Sequence, residues 1–235
     1  MKIEIWSDII CPFCYIGKRK FEAALDQFND KEQLQIIWKS FQLMPELVTA
    51  PDRSLDEVLA EKKGLPLQEA HKMNVQATAF AKEAGLPYHM DKVIPANSLK
   101  AQQLVHFAKN KDKQNEAEEV LFRAYFTDGK NIDDMQTLIS LGTEIGLDPQ
   151  LLKTALQEGT FAKDVLSDIH EAQQIGITGV PFFVFNRKFA LSGAQPSAVF
   201  VEALKKSFQD WQAENNSPDL DIVEGKTCSP DKGCE

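Results

Sequence analysis

The sequence predicts an α/β protein whose single mixed β-sheet is assembled from two separate segments of the chain. Three observations support this fold class. Residues 1–50 show a strand, a helix and a strand, residues 51–176 show helical periodicity throughout, and residues 177–212 show two strands and a helix. We therefore expect a sheet-forming core made of the first and third segments, an inserted all-helical domain between them, and a C-terminal tail over residues 213–235.

The first segment contains a strand, a helix and a second strand. Residues 2–6 fit a short strand, residues 21–28 place apolar side chains at helical spacing, and residues 34–41 are rich in β-branched and aromatic types. A strand–helix–strand unit of this length forms a parallel pair through a right-handed crossover. We therefore expect two parallel strands here.

A Cys-x-x-Cys pair, Cys11-Pro12-Phe13-Cys14, lies where the first strand gives way to the first helix. Two thiols at this spacing in the first helical turn are close enough to form a disulfide, and proline is tolerated there. Unpaired backbone N–H groups and the positive end of the helix dipole favour the reactive thiolate form of a cysteine at this position. We assign Cys11 as the attacking thiol and Cys14, one turn inward, as the resolving thiol.

The inserted block carries helix signals but no catalytic motif. Ser54 begins a Ser-x-x-Glu capping box, Gly85 fits a helix C-terminus, Asp133 is expected to begin a helix, and Asp148-Pro149 fits an N-cap followed by a first-turn proline. The apolar stripes of these helices fit core faces, and none has the spacing of metal ligands or of an acid/base pair. We expect the block to cover the core as a lid.

A β-hairpin and a closing helix are predicted after the helical block. Residues 180–185 form the first strand, Asn186-Arg187 the turn, and residues 188–193 the partner strand. Pro181 stands at the opening of the first strand, where proline is tolerated. Pro196 begins the closing helix.

The composition excludes several classes of function. The chain has 235 residues, a net charge of −9, and 43% hydrophobic and 26% charged residues, which is ordinary for a globular protein. An acidic balance without a basic stripe argues against nucleic acid as a partner, and no apolar run is long enough to span a membrane. Because the chain begins directly with a strand, we expect a cytoplasmic protein, in which four cysteines indicate catalysis or redox sensing more than structural disulfides.

Together these motifs resemble the DsbA family of the thioredoxin superfamily. Residues 6–17 (Trp-Ser-Asp-x-x-Cys-Pro-Phe-Cys-Tyr-x-Gly) are similar to its cytosolic FrnE-like branch, and residues 179–181 (Gly-Val-Pro) open a hairpin as in that family. The likeness covers about residues 1–212. It implies a thioredoxin-like core with a helical insertion.

The resemblance also implies a thiol–disulfide oxidoreductase. Cys11 would be the nucleophile, Cys14 the resolving residue, and Pro181 a cis-proline that faces the disulfide and turns the Val180 backbone toward an incoming peptide. The expected partners are proteins, peptides or small molecules that contain a disulfide. No bound cofactor is needed, although glutathione or another thiol must exchange electrons with the pair. The sequence leaves the client and the oligomeric state open, a homodimer included.

One departure from the family pattern concerns the residue before the second cysteine. The periplasmic oxidants have histidine there, whereas this chain has Phe13. Phe13 offers neither a charge nor a hydrogen bond to the Cys11 thiolate, so the reduced form should be less favoured and the disulfide less oxidising. We therefore expect a reductase or isomerase, in which Pro12, Phe13 and Val180 face the substrate.

The tail holds the other two cysteines, Cys228 and Cys234, with Pro230 and Gly233 forming a turn between them. Three roles are compatible with this arrangement. The pair could be a second redox centre that exchanges with Cys11 and Cys14, as the resemblance implies for some FrnE-like proteins. It could instead form a structural disulfide that fixes the end of the chain, or it could bind metal adventitiously.

Two other functions fit parts of the sequence. Kappa-type glutathione transferases and hydroxychromene-carboxylate isomerases share the architecture, but they use a serine near the motif, where this chain has an intact cysteine pair. A zinc- or redox-sensing module would gather all four cysteines. However, Cys228 and Cys234 are spaced more widely than the usual half of a zinc site, so we expect no metal site.

Overall fold

The computed structural model describes residues 1–215 and, in the tail, the backbone of residues 228–229 and 233–234. Its main sheet has four strands in the order β2-β1-β3-β4. The strands are β1 (Lys2–Ser7), β2 (Gln35–Ser40), β3 (Phe182–Phe185) and β4 (Phe189–Ser192). As predicted, β1 and β2 are parallel, while β3 is antiparallel to both β1 and β4.

Nine α-helices lie within residues 1–215, joined to one another and to the strands by loops. The core carries α1 and α9, and the segment between β2 and β3 carries α2 to α8. The helices are α1 (Pro12–Leu25), α2 (Leu55–Lys63), α3 (Leu67–Glu83), α4 (Leu99–Lys109), α5 (Gln114–Phe122), α6 (Met135–Glu144), α7 (Pro149–Glu158), α8 (Ala162–Gln174) and α9 (Ser197–Asn215). A 3₁₀ turn precedes β2 at Lys31–Gln33, and α5 continues into a π-helical turn at Arg123–Thr127.

Local sequence signals explain most of the helix boundaries. The Ser54 hydroxyl accepts the Glu57 N–H while the Glu57 carboxylate accepts the Ser54 N–H, which is the predicted capping box. Asp148 caps α7, with Pro149 at the first helical position. The expectation for α6 was one residue off, because Asp134 rather than Asp133 accepts the Thr137 N–H as N-cap. The Asp133 carboxylate instead accepts the Thr49 hydroxyl, at 2.6 Å.

One face of the sheet packs against α1 and α9. Phe21 of α1, Phe183 of β3 and Phe200 of α9 contact one another with ring centroids 4.6–5.5 Å apart, and all three are buried. Edge-to-face and tilted arrangements at these distances stabilise an aromatic cluster beyond its buried area. This cluster fixes α1, and with it the Cys-x-x-Cys motif at its N-terminus, against the hairpin.

A buried polar cluster joins the helical block to the edge strand β2. The carboxylate of Asp168 in α8 accepts hydrogen bonds from Lys39 Nζ at 2.7 Å and from the Ser40 backbone N–H at 3.0 Å. His106 of α4 lies 3.1 Å from both Asp168 Oδ2 and the Ser40 hydroxyl through the same ring nitrogen, Nε2. Because serine and aspartate share that nitrogen, the three residues are not arranged as a proton relay for a nucleophilic serine. They connect three elements of the fold.

None of the helices within residues 1–215 is both long and apolar enough to span a lipid bilayer. In the tail, two short strands, β5 (Cys228–Ser229) and β6 (Gly233–Cys234), pair antiparallel with Cys228 opposite Cys234. The side chains of this pair lie outside the described residues. All three expectations for the tail cysteines therefore stay open.

Candidate active site

The Cys-x-x-Cys motif forms the N-cap and the first turn of α1, after the short loop that follows β1. Cys11 is the N-cap of α1 and Pro12 its first residue. The Cys11 N–H donates to the Asp8 carbonyl at 2.9 Å, and the Cys14 N–H donates to the Cys11 carbonyl at 3.0 Å. These bonds fix the backbone of both cysteines at the start of the helix.

Both thiols are free, and both residues are largely enclosed. Cys14 is 1% exposed and Cys11 is 4% exposed. Burial raises the pKa of the Cys14 thiol, and the neighbouring Cys11 raises it further, while the Asp8 backbone and the Ser7 hydroxyl oppose the shift. The enclosure of Cys14 fits a resolving thiol. Cys11 is also nearly buried, so the approach to its sulfur is narrow.

The start of β3 brings Val180 and Pro181 against the motif. The Val180–Pro181 peptide bond is cis, as predicted. The Cys11 thiol lies 3.5 Å from the Val180 carbonyl and can donate to it. Since β3 pairs with β1, with Phe182 opposite Trp6, this contact places four of the predicted site residues together: both cysteines, Val180 and Pro181.

The position of Pro181 depends on a glycine in α1. A Cβ atom added to Gly17 would lie only 2.9 Å from Pro181 Cγ and 3.5 Å from the Phe183 ring. A separation below 3.0 Å requires one of the groups to move. Gly17 thus permits the close packing of the proline ring on the helix that carries both cysteines.

Phe13 provides an apolar surface beside the motif. Its side chain is 40% exposed, and its ring centroid lies 6.1 Å from that of Phe80 in α3. Phe80 is also partly exposed. The two rings form a small apolar surface beside Cys11 and Cys14. Pro12, the other residue between the cysteines, is partly exposed.

Tyr88 was missed by the sequence reasoning. It belongs to the segment between α3 and α4, and its hydroxyl donates to the Pro12 carbonyl at 2.7 Å. The ring stacks between Tyr15 and Phe126, with centroid separations of 6.1 and 4.6 Å. Burial and the nearby Cys11 and Cys14 raise the Tyr88 pKa, so its hydroxyl stays protonated and acts as a donor. The helical block thereby holds the backbone of the motif directly.

A charged cluster on the outer side of α1 ties that helix to α5. The carboxylate of Glu119 accepts hydrogen bonds from the Tyr15 hydroxyl at 2.7 Å and from Lys18 Nζ at 2.8 Å, and it also pairs with Arg19. Burial opposes ionisation, but the bonds from Arg19 and Lys18 prevail and lower the Glu119 pKa to about 2. This cluster fixes the orientation of α1 relative to the helical block.

Two buried acids lie on the inner side of the motif and were also missed. Burial raises the pKa of Asp8 to about 6, against hydrogen bonds that include one from the Leu43 backbone N–H at 2.7 Å. Burial likewise raises the pKa of Glu118 in α5 to about 8. Glu118 could have been noticed in the sequence, because it shares a helix face with Leu121 and Phe122, both buried.

A family model described as DSBA-like thioredoxin domain matches residues 2–205 of this sequence. The chain belongs to that family. The four-stranded mixed sheet, with its helices inserted between β2 and β3, is therefore a DsbA-like thioredoxin fold, as the sequence predicted.

Comparisons with individual proteins support the same family. The uncharacterised protein YwbO of Bacillus subtilis (strain 168) is 31% identical over 205 residues, which cover 86% of this chain and 94% of YwbO. A probable DsbA oxidoreductase from Streptomyces coelicolor has a crystal structure with a TM-score of 0.82 and 32% identity, covering 100% of this chain and 98% of that chain.

A more distant structure shows how widely the fold is used. A 2-hydroxychromene-2-carboxylate isomerase has a TM-score of 0.64 at 15% identity, covering 92% of this chain and 100% of that one. At that identity the likeness concerns the fold alone. The chemistry of this DsbA-like protein must therefore be argued from its own residues.

Within the described residues, no three His, Cys, Asp or Glu side chains are grouped so that they could hold a metal ion. Cys228 and Cys234 lie outside that search. The described part of the site instead offers a thiol at a helix N-terminus, a second thiol one turn away, and a backbone carbonyl against the first. These groups can support thiol–disulfide exchange.

Proposed function

We propose that this DsbA-like protein is a thiol–disulfide oxidoreductase that reduces or isomerises disulfides through Cys11 and Cys14. The observation that carries the proposal is the placement of two free thiols in the first turn of α1, with Cys11 held 3.5 Å from the Val180 carbonyl beside Pro181. Cys11 is the nucleophile because it is the N-cap residue, where unpaired N–H groups favour an anion. Cys14 is the resolving residue because it lies deeper.

The exchange runs in two steps. The Cys11 thiolate attacks one sulfur of the client disulfide, so that a mixed disulfide forms and the other client sulfur leaves as a thiolate. The Cys14 thiolate then attacks Cys11 Sγ, which releases the second client thiolate and leaves the Cys11–Cys14 pair oxidised. Two electrons have passed from the protein to the client. Release of the client before the second step, with a different pairing, gives isomerisation.

The direction of exchange follows from Phe13. This apolar side chain has neither a charge nor a donor to stabilise the Cys11 thiolate, and among the described contacts the thiol faces the Val180 carbonyl, an acceptor. A carbonyl accepts a hydrogen bond from a thiol but not from a thiolate. Stabilisation of the reduced pair as a thiolate is therefore modest, and a reductase or isomerase is favoured over a strong oxidant.

The narrow access to Cys11 bears on the choice of client. With Cys11 4% exposed, a disulfide held inside a folded protein cannot reach its sulfur without moving the surrounding side chains. Extended peptide segments and small disulfides fit better, with Phe13, Pro12 and the Val180 backbone facing them. We further propose that the protein works in the cytoplasm, without a bound cofactor, and is returned to its reduced state by glutathione or another thiol.

Insulin reduction and reactivation of scrambled ribonuclease, assayed side by side, test this function. We expect both activities in the unmodified protein, neither in Cys11→Ser, and only residual reduction in Cys14→Ser. A Cys228→Ser variant determines whether the tail pair takes part. Turnover of glutathione adducts that survives Cys11→Ser would instead assign the chain to the glutathione-dependent transferases and isomerases. One equivalent of zinc in the protein purified under reducing conditions would assign a metal-binding module.

A further inference from the structure

The helical block donates a hydrogen bond to the backbone between the two cysteines. The Tyr88 hydroxyl lies 2.7 Å from the Pro12 carbonyl oxygen, and Tyr88 is only 6% exposed. A buried tyrosine hydroxyl needs a partner, and this one finds it 76 positions away in the sequence, on the first residue of α1. The contact therefore joins the helical block to the reactive turn itself.

The packing around Tyr88 holds this hydroxyl in place. Its ring stacks on Tyr15 of α1 and on Phe126, with centroid separations of 6.1 and 4.6 Å. The next residue along the chain, His89, donates its N–H to the Phe126 carbonyl at 2.7 Å. The loop that carries Tyr88 is thereby tied to the π-helical turn after α5, so the hydroxyl stays directed at Pro12.

The Pro12 carbonyl and the Phe13 N–H belong to one peptide group. Amide resonance couples the oxygen of such a group to its nitrogen. A hydrogen bond donated to the oxygen polarises the group and makes its N–H a stronger donor, which is the usual cooperativity of linked hydrogen bonds. The bond from Tyr88 therefore strengthens the Phe13 N–H.

The Phe13 N–H is the free amide of the first turn of α1. Pro12 has no N–H, and the Cys14 N–H donates to the Cys11 carbonyl at 3.0 Å. The Phe13 N–H forms no hydrogen bond with any residue in the range 1–215. A side chain at the N-cap accepts from the second or third N–H of the helix, and the second belongs to Phe13. This amide is therefore available to the Cys11 sulfur.

The thiol and the thiolate of Cys11 need different partners. As a thiol, Cys11 faces the Val180 carbonyl at 3.5 Å and does not cap the helix. A thiolate has no proton for that bond and would face an acceptor. The ionised sulfur must therefore turn toward a donor, and the Phe13 N–H is the one left free beside it.

The titratable groups around this turn do not supply Cys11 with a cation of its own. Those that face Cys11 and Tyr88 are Cys14, Tyr15 and, less strongly, Arg19, which is paired with Glu119. The carboxyl group of Asp8, in the loop before the motif, accepts the Leu43 and Ile10 backbone N–H groups. The strength of a backbone donor therefore matters for the thiolate.

We propose that Tyr88 stabilises the Cys11 thiolate through its hydrogen bond to the Pro12 carbonyl, which strengthens the Phe13 N–H that the sulfur accepts. This role rests on the exchange reaction proposed above, in which the Cys11 thiolate attacks the client. The neutral thiol and the disulfide gain little from the N–H, so the bond favours the ionised sulfur over both. Tyr88 touches neither the client nor the reacting sulfurs and is a positioning residue.

Alkylation of Cys11 by iodoacetamide across a range of pH, read by mass spectrometry of the peptide that contains it, tests this role. All proteins carry Cys228→Ser and Cys234→Ser, so that only the motif supplies thiols. Tyr88→Phe keeps the ring and removes the donor. We expect the midpoint of the profile to rise by about half a pH unit, since cooperativity is worth about 10–30% of a strong charge-assisted bond. Below the midpoint, alkylation should slow about two- to threefold.

Equilibration with glutathione gives a second readout. Two glutathione molecules reduce the Cys11–Cys14 disulfide and leave as glutathione disulfide, so the equilibrium constant reports the stability of the reduced pair. In Tyr88→Phe it should fall by up to about threefold above the midpoint, where Cys11 is ionised, and stay unchanged well below it, where Cys11 is a thiol. A purely structural role would not give this dependence on pH.

Tyr15→Phe is the matched control. It makes the same chemical change in the same aromatic stack, but the Tyr15 hydroxyl donates to Glu119 and not to the motif. We expect its alkylation midpoint and its glutathione equilibrium to equal those of the parent. An equal shift in Tyr15→Phe and Tyr88→Phe would overturn the role of the bond to Pro12, because the stack alone would then account for both.

An alkylation midpoint in Tyr88→Phe equal to that of the parent would also overturn it, whatever the change in Tm. Should Tyr88→Phe fail to fold, 3-fluorotyrosine incorporated at position 88 decides: its hydroxyl is a stronger donor, so the midpoint should fall, and an unchanged or higher midpoint refutes the role. A parent protein that does not reduce insulin would instead refute the proposed oxidoreductase, while the alkylation profiles still test Tyr88. The two failures are therefore distinguishable.

Discussion

The substitution Gly17→Ala sets two physical effects of opposite sign against each other. Gly17 lies within α1 and has an ordinary helical φ, so alanine should stabilise the helix by about 1 kcal/mol. The added methyl, however, would lie 2.9 Å from Pro181 Cγ. Overpacking of a buried site costs about 1–3 kcal/mol, and a proline ring cannot rotate away. We expect net destabilisation of up to about 2 kcal/mol, or a decrease in Tm of roughly 4–8 °C.

The effect on activity should exceed the effect on stability. Relief of the contact moves Pro181, and with it Val180, away from Cys11 by a few tenths of an ångström. Because misplacement of a reacting group by about 1 Å can cost about 100-fold in rate, we expect insulin reduction to fall by about tenfold at a temperature where the variant is fully folded. Thermal unfolding by circular dichroism and the insulin assay measure the two effects.

Gly142→Ala is the matched control. Its added methyl would meet the tip of Leu152 in the helical block, away from the motif. This variant should lose stability through overpacking yet keep its rate of insulin reduction. A Gly17→Ala protein that is about 1 kcal/mol more stable than the parent and fully active would refute the argument, because helix propensity alone would then explain it.

Three further predictions follow from the same contacts. Cys14→Ser should accumulate a mixed disulfide between Cys11 and an added peptide, visible by mass spectrometry, whereas Cys11→Ser should form none. The pKa of Glu118 is about 8 in the folded protein and about 4.5 ordinarily, so the folded state binds the proton more tightly. The stability that this proton contributes is lost as the pH rises from about 4.5 to about 8. Between pH 5 and pH 8, the free energy of unfolding measured in urea should therefore fall further in the parent than in Glu118→Gln. The difference between the two decreases should be roughly 3 kcal/mol. Asp168→Asn removes one of the two carboxylates that pair with Lys39, the other being that of Glu171. It should cost about 2 kcal/mol of stability, measured in the same assay, with no change in the redox activity of the folded protein.

Each of these has an outcome that contradicts it. A mixed disulfide captured equally well by both serine variants would mean that Cys11 is not the first nucleophile. Identical pH dependence of unfolding in Glu118→Gln and the parent would mean that Glu118 titrates normally. An Asp168→Asn protein as stable as the parent would show that the polar cluster at β2 contributes no net stability.

The strands, most helices and the central motif could be predicted because each has a local signature. The capping box at Ser54 and the Asp148-Pro149 start of α7 are read from a few adjacent residues. The parallel pairing of β1 with β2 and the antiparallel pairing of β3 with β4 follow from the order of the elements and the lengths of their connections. Cys11 and Cys14 were found because spacing alone brings two thiols into one helical turn.

The supporting residues could not be predicted, because their partners are distant in the sequence. Ser7 and Glu118 are 111 positions apart, and Tyr88 meets Pro12 across 76 positions. Leu121 and Phe122 mark the buried face on which Glu118 lies, but the sequence does not show that Glu119 pairs with Lys18 and Arg19 while Glu118 forms no ion pair within the described residues. The direction in which a side chain points depends on tertiary packing, and a single sequence does not contain that information.

The contact between Tyr88 and Pro12 has a consequence for attempts to simplify the molecule. Three residues that surround the motif, Tyr88, Glu118 and Phe80, come from the segment between β2 and β3, so the reactive turn is built jointly by two parts of the chain. A shortened protein made of the sheet, α1 and α9 would keep both cysteines. It would lose the hydrogen bond from Tyr88 to the Pro12 carbonyl and the one from the Ser7 hydroxyl to Glu118. Transplanting the four-residue motif onto another thioredoxin scaffold would therefore carry over the nucleophile but not the surroundings that tune it.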